Sequence, residues 1–156
     1  MTDSDRAAAL RALETQLLAM PPVAALALRV GADEGDDRLR LHAPLAANIN
    51  DKGCAFGGSL TSLMTLAGWG LIVRVLAAAG LDADVYVGTS EVRYRAPLYA
   101  DLEAVATLAE GEAWDAFLHA LRTTGKARFV VVAQVALPEG GVAAEARSRY
   151  VAVRKA

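Results

Sequence analysis

The sequence predicts an α+β domain in which an antiparallel sheet wraps around one buried helix. The chain has 156 residues, a length typical of a single domain. Residues 58–79 are apolar on every side, and such a helix must be covered by other elements. Strand patterns stand both before and after this helix. Because a helix apolar all round is stable only when covered, we expect the sheet to curl around it.

The first twenty residues predict an amphipathic helix. Leu10, Leu13 and Leu17 recur at helical spacing over residues 4–19, and Pro21-Pro22 ends the pattern. We therefore expect residues 1–20 to form an N-terminal helix and residues 21–156 to form a single domain.

Two strands are predicted next, over residues 23–30 and 38–42, joined by an acidic turn over 31–37. Pro44 ends the second strand, and a loop over 45–56 leads to the buried helix. Gly80 occupies the position of a glycine that ends a helix.

The rest of the chain predicts four more strands and a short helix. The strands are expected over 84–94, 102–108, 127–137 and 142–153. The short amphipathic helix is expected over 114–124, with Gly125 just past its end. Helix, two strands, buried helix and four strands together indicate an α+β domain.

Composition, net charge and cysteine count limit the classes of protein to which this chain can belong. The chain is 54% hydrophobic and 22% charged, which argues against disorder. The formal net charge of -2 gives no reason to expect a nucleic-acid partner. The single cysteine, Cys54, excludes an intramolecular disulfide and suits a reducing compartment. No secretory signal is visible at the N-terminus, so we expect a cytoplasmic protein.

The segment from Gly53 to Val73 carries no charge and approaches the length that crosses a bilayer. It contains five glycines and four Ser or Thr residues, begins in a loop, and lies among strand patterns. We therefore predict a core helix and no membrane span.

Three motifs carry a resemblance to a known family, and it extends from about residue 20 to near the end of the chain. They are Asn48-Ile49-Asn50-x-x-Gly53-x-x-Phe56-Gly57-Gly58-Ser59-Leu60, Leu66-Ala67-Gly68-Trp69-Gly70, and Ser90-x-Val92-x-Tyr94-x-x-Pro97. Together they resemble the hotdog-fold thioesterases typified by the C-terminal domain of YiiD-type proteins. The resemblance implies a hotdog fold and hydrolysis of acyl thioesters carried by coenzyme A or by acyl carrier protein. It implies no cofactor beyond the coenzyme A or phosphopantetheine of the substrate, and a homodimer or a dimer of dimers.

The glycine pair is the candidate for holding the thioester carbonyl. Unpaired N–H groups at a helix start carry partial positive charge, and glycines let a substrate approach the backbone. We assign Gly58 as the oxyanion donor and Gly57 as the residue that frees the turn. Phe56, Gly57 and Ser59 are assigned to substrate binding. The alternative is that the glycines only satisfy a tight junction between loop and helix.

The loop supplies the candidate polar groups. By resemblance Asn50 lines the catalytic cleft and orients water or thioester; alternatively it holds the loop in an Asx-turn. Asp51 is the only carboxylate in the loop and so the default general base, with a solvated surface aspartate as the alternative. Asn48 is assigned to substrate binding or, more simply, to loop structure.

Two positions depart from better-known hotdog patterns. In phenylacetate-type hotdog thioesterases, the catalytic carboxylate lies on the central helix, seven residues past the second glycine; that position here is Thr65. The usual histidine before the glycine pair is replaced by Phe56. Thr65 is therefore assigned to substrate binding or to a hydrogen bond within its own helix, and any catalytic carboxylate must come from the loop. Ser90 is assigned to substrate binding from its place on a strand face, with a satisfied core serine as the alternative.

Other chemistries are less well supported. A dehydratase needs a histidine where Phe56 stands. A serine hydrolase needs a Gly-x-Ser-x-Gly motif that is missing around Ser59. His42 and His119 have no partners at metal-ligand spacing, so no metal site is predicted. The leading hypothesis is an acyl thioesterase, and the alternative is a hotdog domain that binds acyl thioesters without hydrolysing them.

Overall fold

A computed structural model describes residues 2–32 and 35–156 of the chain. The helices are α1 (Asp3–Leu18), α2 (Pro21–Ala24), α3 (Gly57–Ala78) and α4 (Trp114–Thr124), with a 3-10 turn over Leu45–Ala47. The strands are β1 (Arg29–Val30), β2 (Arg38–Ala43), β3 (Ala83–Tyr94), β4 (Leu102–Leu108), β5 (Lys126–Ala136) and β6 (Val142–Arg154).

The six strands form one sheet in the order β1-β2-β4-β5-β6-β3, and every neighbouring pair is antiparallel. The helix α3 packs against β2, β3, β4, β5 and β6, so the sheet curves around one side of the helix. The predicted α+β hotdog architecture is therefore confirmed.

The core lies between α3 and the inner face of the sheet. Alternate residues of β2, β4, β5 and β6 are buried, as expected for strands with one face on a core. Several of these are alanines, among them Ala104, Ala106 and Ala152. Their small side chains allow the bulky, fully buried Leu63 and Leu71 of α3 to approach the sheet closely.

Two glycines fix how α3 sits against the sheet. A Cβ at Gly68 would overlap the hydroxyl of Tyr150 on β6. A Cβ at Gly70 would lie 2.8 Å from a methyl group of Leu39 on β2. At both positions a neighbouring side chain, and not the backbone conformation, occupies the space that a Cβ would need.

The helix predicted over 4–19 is confirmed as α1. It begins with a capping box in which Thr2 and Asp5 exchange hydrogen bonds. Leu10, Leu13 and Leu17 are buried and belong to the same hydrophobic core as α3. The N-terminal helix thus adds a third layer over α3.

The strand predicted over 23–30 is wrong for most of its length. Pro21 and Pro22 start the short helix α2, because proline is well tolerated in the first turn of a helix. Ala27 then adopts a left-handed conformation with φ of 55°, which breaks any extended run. Strand structure remains at Arg29–Val30 alone.

The later elements are confirmed to within one or two residues. Gly80 follows α3 with φ of 69°, and Gly125 ends α4 with φ of 78°, so both act as helix terminators. The strand β3 lies at one edge of the sheet and carries an irregularity between Val87 and Thr89. Most of β3 is exposed, which the sequence did not predict.

By length and composition alone, α3 is apolar enough to cross a membrane. In this fold, however, its buried face lies against the strands and more than half of its most apolar window is buried inside the protein. A core helix of a globular domain has these same properties.

Candidate active site at the start of the central helix

Asn48 anchors the loop that leads to α3. Its side chain is buried, and its Nδ2 donates to the carbonyls of Leu26 and Pro44, each at 2.9 Å. Its own carbonyl accepts from the N–H of Phe56 at 2.8 Å. These contacts match the structural role that the sequence left open for Asn48.

Asn50 forms an Asx-turn within the loop. Its Oδ1 accepts from the backbone N–H groups of Lys52 and Cys54 at 2.8 and 3.1 Å. Its Nδ2 donates to the buried Cys54 Sγ at 3.2 Å. Gly53 takes φ of 83°, which the turn requires. The carboxamide is thus engaged inside the loop, and its assignment to the cleft stays a prediction.

Asp51 lies at the surface beside Lys52. Their side chains are 79% and 70% exposed, and Oδ1 lies 2.9 Å from the lysine Nζ. The hydrogen bond from Lys52, reinforced by its charge, holds the pKa of Asp51 below its ordinary value. Asp51 is therefore ionised at neutral pH, as a general base must be.

The first turn of α3 presents unpaired backbone donors. Phe56 is the N-cap residue, and no side chain caps the helix. The first intrahelical bond runs from the N–H of Leu60 to the carbonyl of Phe56 at 3.0 Å. The N–H groups of Gly57, Gly58 and Ser59 precede that bond, so they have no acceptor within the helix. Such unpaired N–H groups carry the partial positive charge that the sequence analysis predicts at the helix start.

The Phe56 ring folds back over Gly58. A Cβ at Gly58 would overlap that ring, whereas the ring itself is 55% exposed. Glycine at position 58 thus leaves room for the Phe56 ring at the helix start. Ser59, by contrast, is buried at 8% exposure and faces away from solvent.

Tyr94 and Thr61 join this site, and the sequence assigned neither of them. The Tyr94 hydroxyl lies 2.5 Å from Thr61 Oγ1 and donates to the carbonyl of Gly57 at 3.2 Å. Its ring borders the Gly57 position, where an added Cβ would lie 3.5 Å away. Tyr94 is 58% exposed despite these bonds. One signal was available, because Tyr94 shares a strand face with the assigned Ser90.

Hydrogen-bonding groups of β6 contact both the third turn of α3 and the strand β3. The buried Tyr150 donates to the carbonyl of Thr65 at 2.7 Å. Ser148 lies two residues before Tyr150 on β6. Its Oγ is 2.8 Å from the Oγ of Ser90 on β3. Burial raises the pKa of the Tyr150 phenol, so it stays neutral and acts as a donor. Thr65 thus accepts a hydrogen bond through its backbone carbonyl, and the Ser90 hydroxyl is paired with Ser148.

Among residues 2–32 and 35–156, no group of three His, Cys, Asp or Glu side chains is arranged to hold a metal ion. The chemistry available at the helix start is therefore that of backbone donors, hydroxyl groups, the loop amides and the loop carboxylate.

Comparison with known families identifies the chain. The family model described as "Putative thioesterase (yiiD_Cterm)" matches residues 10–154. The chain belongs to this family. The resemblance read from the glycine-pair and Leu-Ala-Gly-Trp-Gly motifs is thereby confirmed.

Solved structures of similar proteins agree with this family and fold. A protein of unknown function from Chlorobaculum tepidum is 26% identical, with 93% of this chain and 94% of that chain covered and a TM-score of 0.85. A protein from Shewanella oneidensis titled "putative thioesterase" is 27% identical, with coverage of 93% and 97% and a TM-score of 0.82. A Pseudomonas aeruginosa protein titled "Probable Thioesterase" is 25% identical, with 96% of each chain covered and a TM-score of 0.78.

Proposed function

We propose that this protein hydrolyses acyl thioesters whose carbonyl oxygen is bound at the start of α3. The observation that carries the proposal is the uncapped first turn of that helix, where Gly57 is half-buried and Gly58 is exposed. Donors fixed in this way stabilise the negative charge that develops on a carbonyl oxygen under attack. Membership of a thioesterase family supports the same reaction.

The acyl group would lie along the contact between α3 and β3. Two hydrogen bonds join these elements: Thr61 with Tyr94 near the helix start, and Trp69 Nε1 with the carbonyl of Val85 at 3.0 Å. Thr65 lies between these two positions on the helix and is half-buried. The thioester carbonyl would enter past Tyr94, and the acyl chain would extend towards Trp69.

Asp51 is the proposed general base. A water molecule would transfer a proton to its carboxylate and form a bond to the carbonyl carbon. The tetrahedral intermediate would then collapse with cleavage of the C–S bond, and the thiolate would leave and take up a proton. The lowered pKa of Asp51 keeps its carboxylate ionised at neutral pH. Asn50 would hold the loop in the conformation that presents Asp51.

The proposed functional unit is a homodimer joined through the β3 edges. An exposed edge strand offers unpaired backbone groups to a second chain. Tyr86, Val87 and Tyr94 are large exposed side chains on this strand, and Phe56 is exposed beside it. Pairing of two β3 strands would cover this apolar surface and bring each helix start next to the partner. Coenzyme A or an acyl carrier protein would carry the substrate.

A second candidate is acyl-thioester binding without hydrolysis. It is favoured by the exposure of Asp51 and its pairing with Lys52, together with the engagement of Asn50 within its loop. A domain with donors for a carbonyl and no base positioned to activate water would retain a thioester intact.

The deciding experiment measures thiol release from acyl thioesters of graded chain length on coenzyme A and on acyl carrier protein. Under the proposal the wild type turns over at least one substrate. Asp51→Asn then lowers kcat by about a hundredfold or more, the scale of a lost general base. Asp115→Asn is the matched control, because it removes one exposed carboxylate from α4.

Saturable binding of thioesters without release of thiol across the panel would establish the binding domain instead. Turnover that is unchanged in Asp51→Asn would show hydrolysis by another base.

A further inference from the structure

The outer face of the sheet, opposite α3, carries a trough that the proposed reaction does not use. Its volume is about 620 Å³, and it runs over five strands from β2 to β3. Val105, Thr107 and Val132 form its half-buried floor at the centre. Longer charged side chains form its two walls.

Both walls are rich in arginine. Arg38 and Arg40 rise from β2 on one side, and Arg93 and Arg147 rise from β3 and β6 on the other. Two glutamates, Glu91 and Glu145, also line the trough. Four cations against two anions is a local excess of positive charge, on a chain whose formal net charge is -2.

Most of these charges already have partners. Arg40 pairs with Glu103, Arg93 with Glu91 at 3.2 Å, and Glu145 with Arg95 at 2.5 Å. Within the described ranges 2–32 and 35–156, Arg38 and Arg147 have no ion-pair partner, and both are exposed. One unpaired guanidinium therefore stands on each wall.

The spacing of the walls matches a particular shape. The register aligns Arg38 with Thr107, Thr107 with Val132, and Val132 with Arg147. Three strand intervals separate the Cα atoms of Arg38 and Arg147, a distance of about 14 Å at ordinary strand spacing. An α-helix with its side chains is about 10–12 Å across, so one helix fits between the walls.

From this geometry we propose that the trough is a docking site for an acidic amphipathic helix of a protein partner. The helix lies along the strands over β4 and β5. Its apolar stripe contacts Val105 and Val132, and carboxylates on its two flanks pair with Arg38 and Arg147. Guanidinium groups suit this role because they bind carboxylates through two parallel hydrogen bonds.

The apolar floor favours a protein helix over nucleic acid, because valine side chains give no contact to a phosphate backbone. An amphipathic helix gains from the floor by burying apolar area, and from the walls by charge pairing.

The test uses a 16-residue helical peptide with one leucine stripe flanked by glutamates, and a scrambled peptide of equal composition without the stripe. Binding to the full-length protein is measured by fluorescence anisotropy at two salt concentrations. We expect saturable binding of the patterned peptide that weakens as salt rises. The double variant Arg38→Glu/Arg147→Glu should lose about tenfold or more in affinity.

Matched controls separate this site from general attraction. Arg11→Glu/Arg122→Glu makes the same charge change on exposed positions of α1 and α4 and should leave binding intact. Val132→Ser should weaken binding through the floor, with folding of each variant checked by circular dichroism. The measurement needs no thioester, so its outcome is independent of the proposed hydrolysis.

Three results would overturn the proposal. The first is equal affinity for the patterned and scrambled peptides, or equal affinity of the wild type and the Arg38→Glu/Arg147→Glu variant. The second is tighter binding of a duplex DNA oligonucleotide than of the peptide. The third is a sedimentation experiment in which that variant dissociates a wild-type assembly, because the trough would then be occupied by another copy of the chain.

Discussion

Tyr94 shows how a single side chain can connect the edge strand to the reaction site. Its hydroxyl contacts Thr61 Oγ1 and the carbonyl of Gly57, while its ring remains more than half exposed. An exposed tyrosine gains little stability from packing, so these bonds mainly fix the position of β3 relative to the first turn of α3. We expect them to set the geometry of the carbonyl site.

Tyr94→Phe is expected to lower kcat by up to about tenfold with a smaller change in KM. The ring is kept, and the loss corresponds to neutral hydrogen bonds that are each worth about 0.5–1.5 kcal/mol. Steady-state kinetics on the best thioester from the substrate panel measures the effect.

Tyr86→Phe serves as its control, because it removes a hydroxyl group from another exposed tyrosine of the same strand and keeps the ring. Equal kcat in wild type and Tyr94→Phe would show that the two bonds contribute only to structure.

Lys52 controls the protonation of the proposed base. The lysine holds the pKa of Asp51 below its ordinary value, so the ionised form persists to lower pH. A base acts only when deprotonated, and the acid limb of kcat/KM reports its pKa in the free enzyme. Lys52→Gln removes the hydrogen bond and the charge, which raises the pKa of Asp51. We therefore predict that the acid limb shifts to higher pH.

Lys155→Gln is the matched control for this pH profile. Lys155 is also an exposed lysine paired with carboxylates, Asp82 and Asp84, and it lies near the C-terminus of the chain. An acid limb that stays in place in Lys52→Gln would exclude Asp51 as the titrating base.

At the scale of elements, α3 depends on two positions without side chains to pack against the sheet. Gly68 gives room to the Tyr150 hydroxyl, and that hydroxyl in turn donates to the carbonyl of Thr65. The contact of Gly68 with Tyr150 and the hydrogen bond from Tyr150 to Thr65 therefore lie on the same turn of α3. The Leu-Ala-Gly-Trp-Gly motif is therefore a packing motif of α3, whereas the Phe-Gly-Gly-Ser motif opens its N-terminus.

Gly68→Ala is expected to lower the free energy of unfolding by about 1–3 kcal/mol, the usual cost of adding atoms to a close-packed core. The gain in helix propensity from alanine, about 1 kcal/mol, offsets only part of that cost. Urea denaturation followed by circular dichroism measures the change.

Tyr150→Phe provides the test of cause. Removing the hydroxyl takes away the nearest atom that a Cβ at Gly68 would overlap, whereas the ring carbon Cζ at 2.8 Å remains, so Gly68→Ala should cost somewhat less in the Tyr150→Phe background than in the wild type. Equal costs in both backgrounds would show that the hydroxyl group is not the obstacle.

At the scale of the whole molecule, β3 is an exposed edge strand that pairs with another strand, β6, on one side only. The other long strands bury alternate residues, whereas most residues of β3 are exposed. An open edge with large apolar side chains is a pairing site for a second chain. We expect two β3 strands to join the sheets of a homodimer.

Val87→Lys is expected to shift the protein from dimer to monomer at micromolar concentration. A lysine on an edge strand opposes pairing because the charge would lose water at the interface. Sedimentation velocity measures the mass of each variant.

Ala136→Lys is the control, since it places the same charge at an exposed position of β5, away from the β3 edge. A wild-type protein that sediments as a monomer, or a Val87→Lys variant that remains a dimer, would contradict pairing through β3.

The sequence by itself determined the elements whose signals are local. An all-round apolar run predicted α3, alternation predicted the later strands, and Gly80 and Gly125 marked helix ends, because hydrophobic periodicity and positive φ are properties of short segments. It also identified the glycine pair at the helix start and the family. The strand prediction for residues 23–30 is wrong, since aliphatic residues in this pattern are compatible both with a strand and with a turn that packs on the core.

The tertiary structure alone decided which segments meet. It paired β3 with β6, placed Tyr94 on Thr61 and Tyr150 beside Gly68, and aligned Arg38 and Arg147 across the outer trough. These contacts join residues far apart in the chain, and their partners follow from strand order and register. A single sequence carries no local signal for either, so long-range pairing had to come from the fold.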